Sequence, residues 1–212
     1  MTQRGTNRQR IFYAQRDRRV YLELLRQNSK QTEVQILAYC LMLNHIHLIC
    51  VPASGEALAT CLRRTHGRYA QYMNARLVRS GHFWQNRFYS CPLDEKHLWT
   101  ALRYVERNPV RAGLVAAAED YPYSSAAAHL GERDTSRLLD LDFWQASGAM
   151  RGWRESLQLE ETEEDRRKVQ VATYAGKLLG SKEFVERWNT RAPVEKQEQA
   201  FTAEQDFSPN AL

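Results

Sequence analysis

From Val34 to Pro52 the chain carries no Asp, Glu, Lys or Arg, and its apolar run is interrupted at Asn44. β-branched, aromatic and aliphatic residues on both sides of one turn-forming residue read as a hairpin. The spacing predicts a strand over Val34 to Tyr39, a tight turn at Asn44, and an antiparallel return over His45 to Val51 ending at Pro52. So apolar a pair of strands must be covered, and it is expected at the centre of a sheet. Side chains alternate faces along a strand, so His45 and His47 project to one side and Ile46 and Leu48 to the other. Two neutral imidazoles on one side can hold a single metal ion and leave coordination positions open for a further ligand and for substrate oxygens. Histidines so spaced also occur on solvated sheet faces that bind nothing, and the pair alone leaves both readings open.

The flanking periodicities place helices around this hairpin. Val20, Leu22, Leu24 and Leu25 among Arg and Glu predict a helix over Arg16 to Gln27, closed by Asn28-Ser29. Leu58, Leu62, Tyr69, Tyr72, Met73 and Leu77 recur on one face of a long helix over Glu56 to Leu77. Phe83 to Tyr89 alternates as a strand should, and Asp94 to Arg107 reads as a helix capped by Asp94 and stopped by Pro109. Helix, strand, strand, helix, strand, helix is the order of an α+β fold, a ferredoxin-like or RRM-like antiparallel sheet with helices on one face. Its first strand has only Met1 to Gly5 to form it, which points to a start that is either truncated or wrongly assigned. After Tyr121-Pro122-Tyr123-Ser124-Ser125 the composition turns acidic. Residues 131–190 are expected as a helical C-terminal extension, with helices over Glu160 to Leu179 and Ser181 to Asn189, and residues 191–212 as a disordered tail.

Charge narrows the choice of partner. Residues 1–113 hold 18 basic and 7 acidic side chains, whereas the remainder holds 12 and 18. Arginine dominates the basic part, and guanidinium engages phosphate in a bidentate fork, so nucleic acid is the leading ligand class. Arg63, Arg64, Arg68, Arg87, Arg103 and Arg111 are candidate phosphate contacts, with a solvated face as the alternative for each. Trp84, with Phe83 and Tyr89, is a candidate for stacking on unpaired bases, against simple core packing. His66 and His82 read as core or surface residues. No apolar stretch approaches a membrane span and no signal peptide opens the chain, so a cytoplasmic protein is expected, with no membrane partner. Cys40, Cys50, Cys61 and Cys91 show no C-x-x-C pairing and are expected as small buried hydrophobes.

Tyr104 and Asn108 fall four apart at the end of a helix, hence on one face. A phenol beside a metal can attack a phosphodiester once its proton, of pKa about 10, is lost and the cation neutralises charge on the phosphate. Composition alone favours an ordinary half-buried aromatic at Tyr104.

Three motifs in order shift that balance: Leu37-Ala38-Tyr39-Cys40-Leu41-Met42-Leu43-Asn44-His45-Ile46-His47-Leu48-Ile49, then Gly81-His82-Phe83-Trp84-Gln85-Asn86-Arg87-Phe88-Tyr89-Ser90, then Arg103-Tyr104-Val105-Glu106-Arg107-Asn108-Pro109-Val110-Arg111-Ala112-Gly113-Leu114-Val115. Over roughly residues 2–130 the chain resembles the single-tyrosine HUH transposases of insertion sequences, and within them the REP-associated tyrosine transposases. The resemblance implies an HUH domain over 1–130 in which His45, His47 and Asn108 bind Mg²⁺ or Mn²⁺ and Tyr104 is the catalytic nucleophile. It implies nicking and strand transfer on single-stranded or hairpin DNA through a 5′-phosphotyrosyl link, by a monomer or homodimer associated with the nucleoid. The alternative is a catalytically inactive hairpin-DNA-binding protein of the same fold. Two departures stand out: Leu43 where the family commonly has Pro, and Asn108 where related transposases carry Gln.

Overall fold

A computed structural model describes residues 1–191. The tail expected over 191–212 lies, beyond Arg191, outside the described residues. Strands β1 (Thr2–Arg4), β2 (Val34–Leu41) and β3 (His45–Pro52) form an antiparallel sheet in the order β1-β3-β2. The front strand expected to be missing is therefore present within Met1 to Gly5. Three residues suffice because they lie on β3 where it matters, with Thr2 opposite His47, Gln3 opposite Ile46 and Arg4 opposite His45.

On the β2 side the register sets Cys40 opposite His47 and Leu41 opposite Ile46, and an irregularity between Ile36 and Ala38 shifts the phase of the strand. Because of that shift Ile36 and Tyr39, three apart, share a face. Together with Leu41, Ile46 and Leu48 they enter a core with Ile11, Phe12, Tyr21, Leu25, Leu62, Tyr69 and Met73. Helices α1 (Gln15–Gln31) and α2 (Gly55–Arg76) supply most of the latter and cover this face. Directly opposed residues point the same way, so Thr2, Arg4, Cys40, His45 and His47 look out from the other face.

The first helix outruns its expected end at Asn28-Ser29. Asn28 Nδ2 donates to Leu24 O at 2.8 Å and Thr65 Oγ1 at 3.1 Å, and Ser29 Oγ to Arg26 O at 3.1 Å. Both side chains thus bond back to the helix or across to α2 instead of breaking it, and the stop falls at Thr32, before Glu33 turns left-handed at φ 54°.

Phe83 to Tyr89 does not form the expected strand. Thr6 N donates to Phe83 O and Gln85 N to Arg4 O, each at 3.0 Å, which makes one bridge between Gly5 and Trp84 and no ladder. The segment still occupies the place of a fourth strand beside β1. The opposite edge, along β2, is closed in the same way by Tyr123 to Ser125, with Leu41 N donating to Tyr123 O and Ser125 N to Tyr39 O. Both exposed edges are thus capped by loop backbone.

Helix α3 (Glu95–Glu106) begins where Asp94 Oδ1 accepts from His97 N at 2.9 Å, and the short α4 (Asn108–Arg111) follows with Pro109 in its first turn. Beyond it come α5 (Ala126–His129), α6 (Leu141–Ser147) and α7 (Met150–Gln158), then α8 (Glu163–Tyr174) and α9 (Lys182–Arg191). Helices α6 and α7 fall within the stretch expected to be helical, which gave them no bounds of their own, and Trp144, Trp153 and Leu157 are their buried anchors.

The chain divides into two compact units, Met1–Phe88 with Leu102–Glu160, and Tyr89–Ala101 with Glu161 onward. Residues 131–160, read from sequence as the start of a separate extension, cluster with the sheet. In the second unit the Tyr89 ring meets Tyr174 at 5.3 Å, and Asp94 Oδ2 accepts from Ser181 N at 2.7 Å.

Candidate active site

Three rings meet on the sheet face turned away from α1 and α2. The His45 and His47 rings lie 4.9 Å apart, edge to face, and the Tyr104 ring lies 5.6 Å from that of His47. Strand alternation brings the two histidines together, and the end of α3 delivers the phenol. His47 is 8% exposed and Tyr104 7%, whereas His45 is half-buried and leaves the cluster open to solvent on its side. Asn108, four residues beyond Tyr104, is buried at the start of α4.

The site is electropositive without relying on its histidines for charge. Burial, with the nearby Arg4 and Arg111, lowers His45 to about 4. Burial also pushes His47 well below the usual histidine value, and the neighbouring His45, Arg111 and Arg4 add to it. Both imidazoles are therefore neutral at physiological pH, the form in which a ring nitrogen offers a lone pair to a metal. The Arg111 guanidinium lies over the Tyr104 ring at 4.3 Å and donates to Tyr104 O at 3.4 Å. Arg4 escaped the sequence reading because only its pairing with His45 brings it here.

The remaining candidates are distributed elsewhere. Arg63, Arg64 and Arg68 are exposed on α2, which covers the opposite sheet face. Trp84 is packed between His66 at 4.8 Å, Phe83 at 5.0 Å and Tyr69 at 6.0 Å, and its Nε1 donates to His66 O. Trp84 is thus half-buried against the edge of the core, with part of its surface open to solvent. Arg87 and His82 are exposed, Arg103 is half-buried on α3, and His66 is buried. All four cysteines are free, Cys40 and Cys61 buried and Cys50 and Cys91 half-buried.

Among the described residues no three His, Cys, Asp or Glu side chains gather as a metal cluster. A cation at the histidine pair would need an amide or substrate oxygen to complete its protein ligands, and Asn108 has the chemistry for it: a neutral, hard oxygen donor suited to Mg²⁺ or Mn²⁺.

Sheet order, flanking helices and a His-x-His strand facing a helix-borne tyrosine define an α+β fold with a cluster of two imidazoles and a phenol. The chain belongs to the IS200-like transposase family, whose sequence profile matches residues 3–108. It is 28% identical over 120 residues to a Haemophilus influenzae protein named as a REP-associated tyrosine transposase, covering 50% of this chain and 68% of that one. Its fold is similar to the solved structure of a REP-associated tyrosine transposase bound to a REP hairpin, with a TM-score of 0.53 and 18% identity over 66% of this chain and 81% of that one. Among the described residues no helix is long and apolar enough to cross a membrane.

Proposed function

We propose that the protein nicks and rejoins single-stranded DNA bearing hairpins, with Tyr104 as nucleophile. The observation that carries this reading is the convergence of His45, His47 and Tyr104 on one sheet face, with ring separations of 4.9 and 5.6 Å. The hairpin substrate follows the solved relative, which is bound to one, and the basic charge of residues 1–113.

His45, His47 and Asn108 would hold Mg²⁺ or Mn²⁺, which when bound polarises the scissile phosphate and offsets the charge that develops on it. Tyr104 Oη forms a bond to phosphorus as the bond from phosphorus to the 3′ oxygen breaks. The phenol's proton ends on the released 3′-OH, directly or through water. One phosphodiester is exchanged for another, so the 5′-phosphotyrosyl link keeps the energy needed for strand transfer, and attack by a 3′-OH reverses it. Arg111 sets a permanent positive charge over the Tyr104 ring, beside which the negatively charged scissile phosphate would bind.

Labelled single-stranded hairpin DNA incubated with the protein and Mn²⁺ should yield a covalent adduct that survives denaturation, is lost with EDTA, and is absent in Tyr104→Phe. An adduct undiminished in that variant excludes Tyr104 as nucleophile. Tight hairpin binding that ignores EDTA and the His45→Ala, His47→Ala double change, with no cleavage at any metal concentration, establishes instead a binding protein of the same fold.

A further inference from the structure

We propose that Asn44 is a positioning residue that holds the His45 imidazole in its Nδ1–H tautomer, leaving the lone pair on Nε2 for a cation. This rests on the metal-dependent reading above and extends it to a residue outside the ligand set.

The geometry fixes the amide before it fixes the ring. Asn44 is tied by three hydrogen bonds: its carbonyl oxygen accepts from Gly5 N at 3.0 Å, its Nδ2 lies 3.3 Å from Arg8 O, and its Oδ1 lies 2.7 Å from His45 Nδ1. The Arg8 carbonyl can only accept, so the group facing it must be the amide NH₂. The amide oxygen then necessarily faces His45. An oxygen that can only accept requires a hydrogen on the ring nitrogen opposite it, which is Nδ1. Flipping the amide would set two acceptors against each other at Arg8, which is why the Arg8 carbonyl decides the tautomer.

The segment that presents this carbonyl is itself held in an unusual conformation. Asn7 and Arg8 both have positive φ, at 50° and 55°. Gly5, just before them, has no room for a side chain, since a Cβ there would lie 2.7 Å from both Gln9 O and Ile11 Cγ2. Consecutive left-handed residues outside glycine cost energy and persist only where the surroundings enforce them. Here Ile11 N donating to Leu43 O at 2.8 Å and Gly5 N donating to Asn44 O lace the segment to the hairpin turn. The effect is a relay from the loop backbone, through one amide, to the electron pair of one imidazole nitrogen. A metal-binding histidine whose other nitrogen donates to an oxygen is oriented and made more basic, and loss of such a partner usually weakens metal binding 10- to 100-fold.

Two measurements test this. In the unaltered, metal-free protein, long-range proton–nitrogen NMR, with the His45 signals identified by their loss in His45→Gln, should show Nδ1 protonated and Nε2 bare; the opposite tautomer overturns the proposal. In Mn²⁺ titration calorimetry without DNA, Asn44→Ala should bind about 10- to 100-fold more weakly than the unaltered protein. Equal affinity in Asn44→Ala and the unaltered protein, with binding lost in His45→Ala, overturns the role of Asn44 alone. Absence of Mn²⁺ binding by the unaltered protein ends the metal reading itself and this role with it.

Discussion

His66 shows how a buried histidine is kept neutral away from the candidate site, and what that costs in acid. Its Nε2 lies 3.1 Å from Tyr21 Oη, and burial lowers its pKa to about 3. Burial likewise raises Tyr21, so the phenol keeps its proton and two neutral groups share the hydrogen bond. In the unfolded chain His66 titrates near 6.5. Between pH 6.5 and about 3 the unfolded state therefore binds a proton that the folded state refuses, and stability falls as pH falls through that window, while above it His66 adds no pH dependence. His45 and His47 are shifted in the same direction. Thermal unfolding followed from pH 7.5 to 4.5 should show Tm dropping on acidification, with a shallower drop in His66→Gln; an unchanged slope in that variant would contradict the assignment. At this scale the histidine pair was legible because strand alternation is a local rule. The buried setting of His66 was not, since it depends on Tyr21 and Trp84 arriving from other elements.

Among the elements, the end of α3 matters most, because it carries the candidate nucleophile. Two residues beyond Tyr104 the Glu106 carboxylate is fully buried. It accepts from Ser125 Oγ and, at 2.8 Å, from Trp153 Nε1, and its Oε1 lies 2.6 Å from His129 Nδ1. The His129 ring stacks on Trp144 at 3.8 Å, and Trp144 Nε1 donates to His129 O. One carboxylate thus ties the Tyr104 helix to α5, α6 and α7. Removing a buried, hydrogen-bonded charge leaves its donors stranded, and Glu106→Ala should destabilise the protein by about 3–5 kcal/mol in chemical denaturation. A loss under about 1 kcal/mol would show that the cluster does not hold the helix end. Sequence reading located α3 to within a residue at each end, because Asp94 and the apolar spacing of Leu98, Leu102 and Val105 are local signals. It set no bounds for α6 and α7 within the expected helical extension, because their tryptophans are explained only by partners some 15 and 47 residues away.

For the molecule as a whole, charge and topology decide which arginines can serve the site. Hairpin DNA affinity should fall steeply with salt, as phosphate binding by the basic part requires. Arg63, Arg64 and Arg68 sit on α2, across the sheet from the histidines. Changing all three to Ala should therefore alter the slope of log affinity against log salt by less than about one unit, where three phosphate contacts would remove about two to three. A loss of that larger size, measured by fluorescence anisotropy, would place the DNA path over α2. What the sequence alone determined was the hairpin, the helices beside it, the shared side of His45 and His47, and the family resemblance, because periodicity, caps and motifs act over a few residues. What only the tertiary structure decided was that three residues complete the front of the sheet, that Phe83 to Asn86 closes its edge with one bridge, that Trp84 packs half-buried against the core, and that Arg4, Arg111 and Tyr104 join the histidines. Each of these is a pairing between distant segments, set by register and burial, and no local pattern encodes it.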